Sequence, residues 1–317
     1  MNERELQIMK CLFPYAVAER EKAIHEKTKL AHYASAKTAL NILRKREVWL
    51  RDSRCMNDFM EVQHGLRLIF GFLNETTRRT AFVTAVNAIH AGVGEEVIAK
   101  FGDWQTRLWA GTYILSMSAH AGGDEDKYGR LSMWRAYGRA AGGVAIVMNV
   151  PMDQTNEDFN VFLSPVHYTE NIDDEMSRII GNIGAQRPLL ATIPRDELLN
   201  RLFSMLAMAA CCLKHPGFKE ELEWRLVYLP LTWASKYVTE AYEPIDDVPQ
   251  TVYKLKFEDV VRAGQVGAEP LTSIDRVIIG PTAYPGTITD QVFFALKKLG
   301  FTDPTKHIST SFIPLRM

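Results

Sequence analysis

Two carboxylates and a guanidinium alternate in the segment Phe-Lys-Glu-Glu-Leu-Glu-Trp-Arg at 218–225. In an extended strand every second side chain points to the same side, which predicts one row of Glu221, Glu223 and Arg225. Leu222 and Trp224 are then expected to face the core. Carboxylates this close raise the pKa of one member, and a neighbouring arginine opposes that rise. The pattern marks this row as a segment that could carry chemistry, with a solvated charged strand edge and a local ion pair as the competing interpretation.

Aromatic side chains mark two places where a strand meets a helix. His32 and Tyr33 end a short strand-like run, and Trp134 and Tyr137 are three residues apart in a short helical segment. Strand ends often carry ligand-binding residues. A rigid aromatic side chain can form one wall of a pocket for a base or a nicotinamide ring. The four residues are therefore candidate binding residues, and burial in the core is the competing interpretation.

A polar segment at 56–61 precedes His64. Asn57 or Asp58 can cap a helix, and Asp58, Glu61 and His64 are spaced so that they can share one helix face. A Glu-x-x-His pair binds iron or manganese when a second such motif completes the site. We find no second motif in the sequence, so no metal is predicted.

The composition is that of an ordinary globular protein. Of 317 residues, 47% are hydrophobic and 24% are charged, which is enough for a large core. A net charge of -1 does not indicate a strongly basic surface for nucleic acid. The four cysteines form no CxxC pair, and we find neither a targeting segment nor an apolar run of membrane-spanning length. These features predict a cytoplasmic protein without membrane contact.

The order of the elements predicts an α+β fold. Residues 1–28 are expected to form an N-terminal helical arm, interrupted by Pro14, that packs on the body or on a second copy in a homodimer. Residues 29–317 are expected to be a single domain, in which helices surround a mixed, mostly antiparallel sheet. Ser35 is expected to cap a helix directly after the first strand. One further helix is predicted over 76–101.

Taken in order, these segments resemble the DUF2971 family over about residues 29–285. The resemblance rests on short motifs at 32–33, 48–50, 57–61, 134–147, 218–225 and 277–281. The family name denotes a domain of unassigned function, so the resemblance implies no reaction.

A more distant resemblance is to ADP-ribosyltransferases, which carry a His or Arg on an early strand, an aromatic or Ser-containing middle motif and a late catalytic Glu. It implies a split sheet and NAD as the substrate. Glu223 would stabilise positive charge on the ribose as nicotinamide leaves, and Glu221 would complete the catalytic pair. The remaining residues implied in binding or bracing the nucleotide are His32, Tyr33, Asn57, Asp58, Glu61, Trp134, Tyr137 and Arg225.

The implied function is an NAD-dependent ADP-ribosyltransferase or NAD glycohydrolase in bacterial or phage conflict, with a nucleic acid or a protein as acceptor. Two other classes stay open. A basic stretch at 44–46, with Arg51 and Arg54, could meet phosphates in a nucleic-acid- or nucleotide-binding defence protein. These cations could equally complement the dipole of an exposed helix end. The charged N-terminal helix could instead make the chain a non-catalytic interaction module.

Overall fold

The structure is a computed structural model that describes residues 2–56, 60, 62–138, 142–152, 159–245, 247–260 and 265–315. Its helices are α1 Glu3–Leu12, α2 Pro14–His25, α3 Ala36–Lys45, α4 Gln63–Asn74, α5 Thr76–Asn87, α6 Val93–Asp103, α7 Gln105–Ala110, α8 Glu125–Tyr128, α9 Leu131–Tyr137, α10 Asp173–Ala185, α11 Arg187–Leu190, α12 Arg195–Cys212, α13 Pro270–Ser273 and α14 Pro285–Leu299. Short 3-10 turns cover Ser53–Cys55, Pro216–Glu221 and Pro304–His307.

The strands are β1 Lys29–Ser35, β2 Glu47–Asp52, β3 Tyr113–His120, β4 Gly143–Met148, β5 Val161–Pro165, β6 His167–Tyr168, β7 Leu213–Lys214, β8 Glu223–Tyr228, β9 Val238–Ile245, β10 Val248–Lys256, β11 Ile274–Ile279 and β12 Ile308–Thr310. One mixed, mostly antiparallel sheet forms the centre of the protein, in the order β12-β11-β4-β1-β3-β2-β10-β9. From the other edge of β3, β8 and then β5 extend it. Helices flank this sheet, so the predicted α+β class is confirmed.

The sheet forks at β3. One edge of β3 pairs with β2 at Tyr113 and Ile114, and with β1 from Ser118 to His120. Its other edge pairs with β8 from Tyr113 to Ser118. The strands β1 and β2 therefore separate beside the middle of β3, and a residue there can contact both β8 and the gap between β1 and β2.

Strand register assigns the candidate side chains to the two faces of the sheet. Ser118 lies opposite Glu223 of β8 and opposite Ala31 of β1. Directly opposed residues of antiparallel strands point to the same side. We call the side of Glu223 and Ala31 the front face. His32 follows Ala31 in the strand and therefore points to the other side, the back face.

Apolar side chains cover both faces of the sheet. The back face packs against α3 and α14. On the front face, Tyr33 and Trp134 belong to a small cluster with β4 and β11, while Ile114 and Val227 belong to a large core with α4, α5, α6, α10 and α12. The predicted cap of α3 is confirmed, since the Ser35 hydroxyl accepts from the amide of Thr38 at 3.2 Å.

The single helix predicted over 76–101 is wrong, because two helices, α5 and α6, cover this stretch. Gly92 precedes α6 with φ 80°, a left-handed conformation that glycine adopts at little cost. The turn allows Phe82 of α5 and Val97 of α6 to enter the same core.

The N-terminal arm packs on the body of its own chain. Ile8, Cys11 and Leu12 of α1 are buried in the core that α10 and α12 also enter. At the surface of this contact, Arg201 of α12 pairs with Glu5 at 2.6 Å. The arm therefore shares the hydrophobic core of the body.

Leu12→Ala should lower the free energy of unfolding by about 2–5 kcal/mol, because the substitution removes buried methyl groups and leaves a cavity. Urea denaturation measures this difference. Ile24→Ala is the matched control on the exposed side of α2, with an expected change within about 0.5 kcal/mol. If Leu12→Ala were as stable as the control, the arm would contribute nothing to the core.

Candidate functional site

A buried ionic network lies on the front face, where β7, β8 and the 3-10 turn Pro216–Glu221 meet. The Nζ atom of Lys214 is 2.8 Å from Oε2 of Glu221 and 2.9 Å from Oε2 of Glu223. The guanidinium of Arg225 binds Glu223 through Nε at 2.9 Å and Nη2 at 3.0 Å. Glu221 is the most exposed member, with 16% of its side chain accessible, and Arg225 is fully buried. We call these four residues the ionic network.

The backbone at Leu222 sets how the two glutamates approach each other. The predicted row of Glu221, Glu223 and Arg225 along one strand is wrong, because Glu221 ends the 3-10 turn and β8 begins only at Glu223. Leu222 between them is left-handed, with φ 45° and ψ 49°, a conformation that costs a non-glycine residue about 1–2 kcal/mol. Its side chain is exposed rather than directed to the core. The two carboxylates nevertheless converge, because Lys214 binds both.

Further hydrogen bonds fix Glu223 and Arg225 in place. The backbone amide of Glu223 donates to the hydroxyl oxygen of Tyr168 at 2.7 Å. The hydroxyl of Ser116, on β3, hydrogen-bonds to the Glu223 carboxylate. Nη1 of Arg225 donates to the carbonyl of Cys211. The strand β3 and the end of α12 therefore hold the network from two sides.

The two carboxyl groups have pKa values that move in opposite directions. Burial raises the pKa of Glu221 above its ordinary value, and Lys214 opposes this only in part. Burial alone would also raise the pKa of Glu223, but Arg225 and Lys214 outweigh it and lower the pKa to about 2. When environment separates two acids in this way, one becomes a permanent anion and the other can carry a proton. As the pH falls, Glu221 therefore takes up a proton before Glu223 does.

Arg130 connects the ionic network to the aromatic cluster. Its Nη1 donates to the hydroxyl of Ser118 at 2.5 Å and to the carbonyl of Glu221 at 3.2 Å. Its backbone amide donates to the hydroxyl oxygen of Tyr33 at 2.9 Å. The rings of Tyr33 and Trp134 meet edge to face, with centroids 4.8 Å apart. Tyr33 and the glutamate pair are thus brought together on the front face.

His32 lies apart from the network, on the back face beside the fork of the sheet. Its Nδ1 is 2.9 Å from the carbonyl oxygen of Ser116. Burial lowers the pKa of His32, and the positive charge of Arg51 lowers it further. His32 and Glu223 therefore contact the same residue of β3, one at its carbonyl and the other at its hydroxyl, but their side chains occupy opposite faces.

Trp134 and Tyr137 pack in the small front-face cluster. Trp134 is 1% exposed, and its Nε1 donates to the carbonyl of Tyr128 at 2.7 Å. The backbones of Gly129 and Gly280 approach its ring so closely that a Cβ atom on either would come within 2.7 Å of a ring atom. Tyr137 is half-buried against the same cluster. The structure corrects the stacking role predicted for Trp134, because its ring has no open face for nicotinamide.

Asn57, Asp58 and Glu61 lie outside the described residues. His64, which follows them in α4, is buried, and its Nε2 is 2.8 Å from the carbonyl of Thr169. Across the described ranges, no three His, Cys, Asp or Glu side chains are grouped as a metal site requires.

The basic residues considered for phosphate binding contact partners within the chain. Arg51 bonds to a glutamine side chain and to the carbonyl of Cys55. Arg54 pairs with Asp52 at 2.6 Å, and Arg44 bonds to another glutamine at 2.8 Å. Asp52 offsets the charge of Arg54, whereas these partners of Arg44 and Arg51 are neutral and do not offset their charges.

A comparison with known protein families finds a match over the segment that contains the ionic network. Residues 133–226 match DUF2971, "Protein of unknown function (DUF2971)". The matched DUF2971 segment runs from α9 into β8 and contains all four members of the ionic network, whereas Tyr33, Ser116 and Arg130 precede it. No curated protein and no solved structure matches the chain. Among the helices that the structure describes, none has the length and apolar character needed to cross a bilayer.

Glu223→Gln should lower the free energy of unfolding by about 3–5 kcal/mol at neutral pH, because Arg225 and Lys214 lose the charge that compensates them in the interior. Glu220→Gln, an exposed neighbour, is the matched control and should change stability by about 0.5 kcal/mol or less. Urea denaturation of both variants gives the comparison. Equal stability of the two variants would contradict the network.

The penalty for Glu223→Gln should shrink in acid. Because the pKa of folded Glu223 is lowered from 4.5 to about 2, the unfolded chain takes up this proton first as the pH falls. The carboxylate therefore stabilises the folded state fully above a pH of about 4.5, and this stabilisation is lost as the pH falls toward 2. The free energies of unfolding of the wild type and of Glu223→Gln, measured over an acidic pH series, test whether their difference shrinks. A difference that stays constant or grows in acid would contradict this prediction.

Proposed function

We propose that the chain cleaves the bond between nicotinamide and ribose in NAD, and transfers ADP-ribose to an acceptor or to water. The observation that supports this proposal is the pair of glutamates with separated pKa values that shares the ammonium group of Lys214. Breaking this bond leaves positive charge on the ribose, which a fixed carboxylate stabilises. A second carboxyl group close by can accept the proton of the incoming nucleophile.

In this reaction each glutamate has a separate role. Nicotinamide leaves with the electron pair of the C1′–N bond and becomes neutral, while Glu223 stabilises the ribose cation. Water or an acceptor hydroxyl, on a nucleic acid or a protein, then forms the new bond to C1′. Glu221 takes the proton that this nucleophile releases. Burial raises the pKa of Glu221 above its ordinary value, which improves it as a base.

Access to Glu223 requires the 3-10 turn to move. Glu223 is 4% exposed, and Glu221 lies between it and the exposed turn residues that precede it. Separation of Glu221 from Lys214 would open the network to a ribose. The left-handed Leu222, which joins the turn to β8, is the natural bending point. Substrate binding and opening of the turn are therefore coupled in this proposal.

Two front-face residues are the candidates for holding the dinucleotide. Tyr33 lies on the same side of the sheet as the glutamates, whereas His32 lies on the other. Because Tyr33 is only 5% exposed and its hydroxyl accepts from the amide of Arg130, we assign it the role of positioning Arg130. Arg130 adds a cation with 14% of its side chain accessible, but its guanidinium is paired with Glu125 at 2.9 Å and bonded to the carbonyl of Glu221, so a pyrophosphate would have to displace Glu125. Arg130 is the group best suited to meet the pyrophosphate.

Release of free nicotinamide from NAD tests the proposal, with and without added nucleic-acid and protein acceptors. We expect turnover by the wild type and a loss of about 10²–10⁴-fold in Glu221→Gln, because the base is removed. Glu221 is less buried than Glu223, so this variant should stay folded, which thermal unfolding verifies. Glu220→Gln should retain full activity.

A wild-type protein that releases no nicotinamide and gains no thermal stability from NAD would remove the proposal, since a ligand of the folded state must raise its melting temperature. Equal activity of Glu221→Gln and Glu220→Gln would remove the assigned role of Glu221 alone.

A further inference from the structure

A cavity of about 670 Å³ lies at the β5 edge of the sheet, between the sheet and the N-terminal arm, and side chains from both faces of the sheet line it. Apolar side chains from three neighbouring strands line one side of it: Val48 of β2, Leu115 and Met117 of β3, and Leu226 of β8. Apolar residues of α1 and α2 line the other side. Its described lining residues include no member of the ionic network, so it is a separate site.

The size and lining of the cavity suit a small apolar molecule. Pockets for small molecules usually have volumes of about 300–1,000 Å³ and predominantly apolar walls. Acidic and basic side chains occur in equal number among the described lining residues. Arg201, for example, is paired with Glu5 at 2.6 Å and with Glu197 at 2.9 Å. The cavity therefore favours neither an anion nor a cation.

Four methionines, Met9, Met117, Met148 and Met208, contribute to the lining. Methionine is unbranched and flexible, so such walls adapt to chains of differing shape. We propose that this cavity binds an uncharged apolar ligand of the acyl-chain class. Because α1 and α2 form one wall and the sheet forms the other, the bound chain would also fasten the arm to the body.

Primary alcohols of increasing chain length test the proposal directly. Trp233 lines the cavity, so its fluorescence should change on binding. From hexan-1-ol through octan-1-ol to decan-1-ol, the Kd should tighten about fourfold for each added methylene, which corresponds to ~0.8 kcal/mol per buried methylene. Absence of saturable binding by decan-1-ol, or an affinity independent of chain length, would overturn the proposal.

Variants that fill the cavity locate the site. Leu226→Trp and Leu255→Trp each place a larger side chain at a half-buried lining position and should weaken binding of decan-1-ol at least about tenfold. Leu231→Trp is the matched control, since Leu231 is 62% exposed and does not line the cavity, and it should bind like the wild type. Circular dichroism verifies that each variant is folded. The result from either Leu226→Trp or Leu255→Trp is sufficient, provided that the variant folds. Wild-type affinity in a folded Leu226→Trp or Leu255→Trp protein would overturn the assignment.

Discussion

A fully buried guanidinium, that of Arg225, is the constraint on which the front face depends. An uncompensated charge in the interior costs several kcal/mol, so Arg225 requires a carboxylate within reach. Glu223 supplies it through two hydrogen bonds from the preceding position on the same face of β8. Lys214 adds a second buried cation, and Glu221 provides the second carboxylate that balances it. The charges therefore join β7, β8 and the 3-10 turn into one unit.

The same arrangement of charges supports the reaction that we propose. In proteins, well-packed apolar residues of similar volume often stabilise a site as well as a buried ion pair or better, which is our reason for assigning the network a functional role. Its cations keep Glu223 ionised in the interior, whereas Glu221, nearer to solvent, has its pKa raised. Two carboxyl groups with oppositely shifted pKa values then lie side by side, with Tyr33 and Arg130 on the same face.

Local signals in the sequence were sufficient for most of the fold. The fixed φ angle of Pro14 separates α1 from α2, and the hydroxyl of Ser35 caps α3, both as predicted. The mixture of strands and helices predicted the α+β class. The split between α5 and α6 was missed because an isolated glycine, Gly92, is a weak signal within a helical pattern.

The site was less predictable because it depends on register and on contacts between distant segments. Only one of the neighbours His32 and Tyr33 can share a face with Glu223, and the pairing of β1 with β3 decides in favour of Tyr33. The left-handed backbone of Leu222 could not be predicted from neighbouring residues, because this conformation is adopted mainly by glycine. Lys214 and Arg130 were missed because neither belongs to a recognisable motif, and tertiary structure alone brings them to the glutamates.

The separation of the two glutamate pKa values is measured most directly by carbon-13 NMR of the side-chain carboxyl carbons as a function of pH. Glu221→Gln and Glu223→Gln assign the two signals. The signal of Glu223 should remain that of a carboxylate until the pH approaches about 2, and that of Glu221 should titrate above the ordinary value of 4.5. Independent titration of both groups near 4.5 would contradict the buried network and the proposed division of roles.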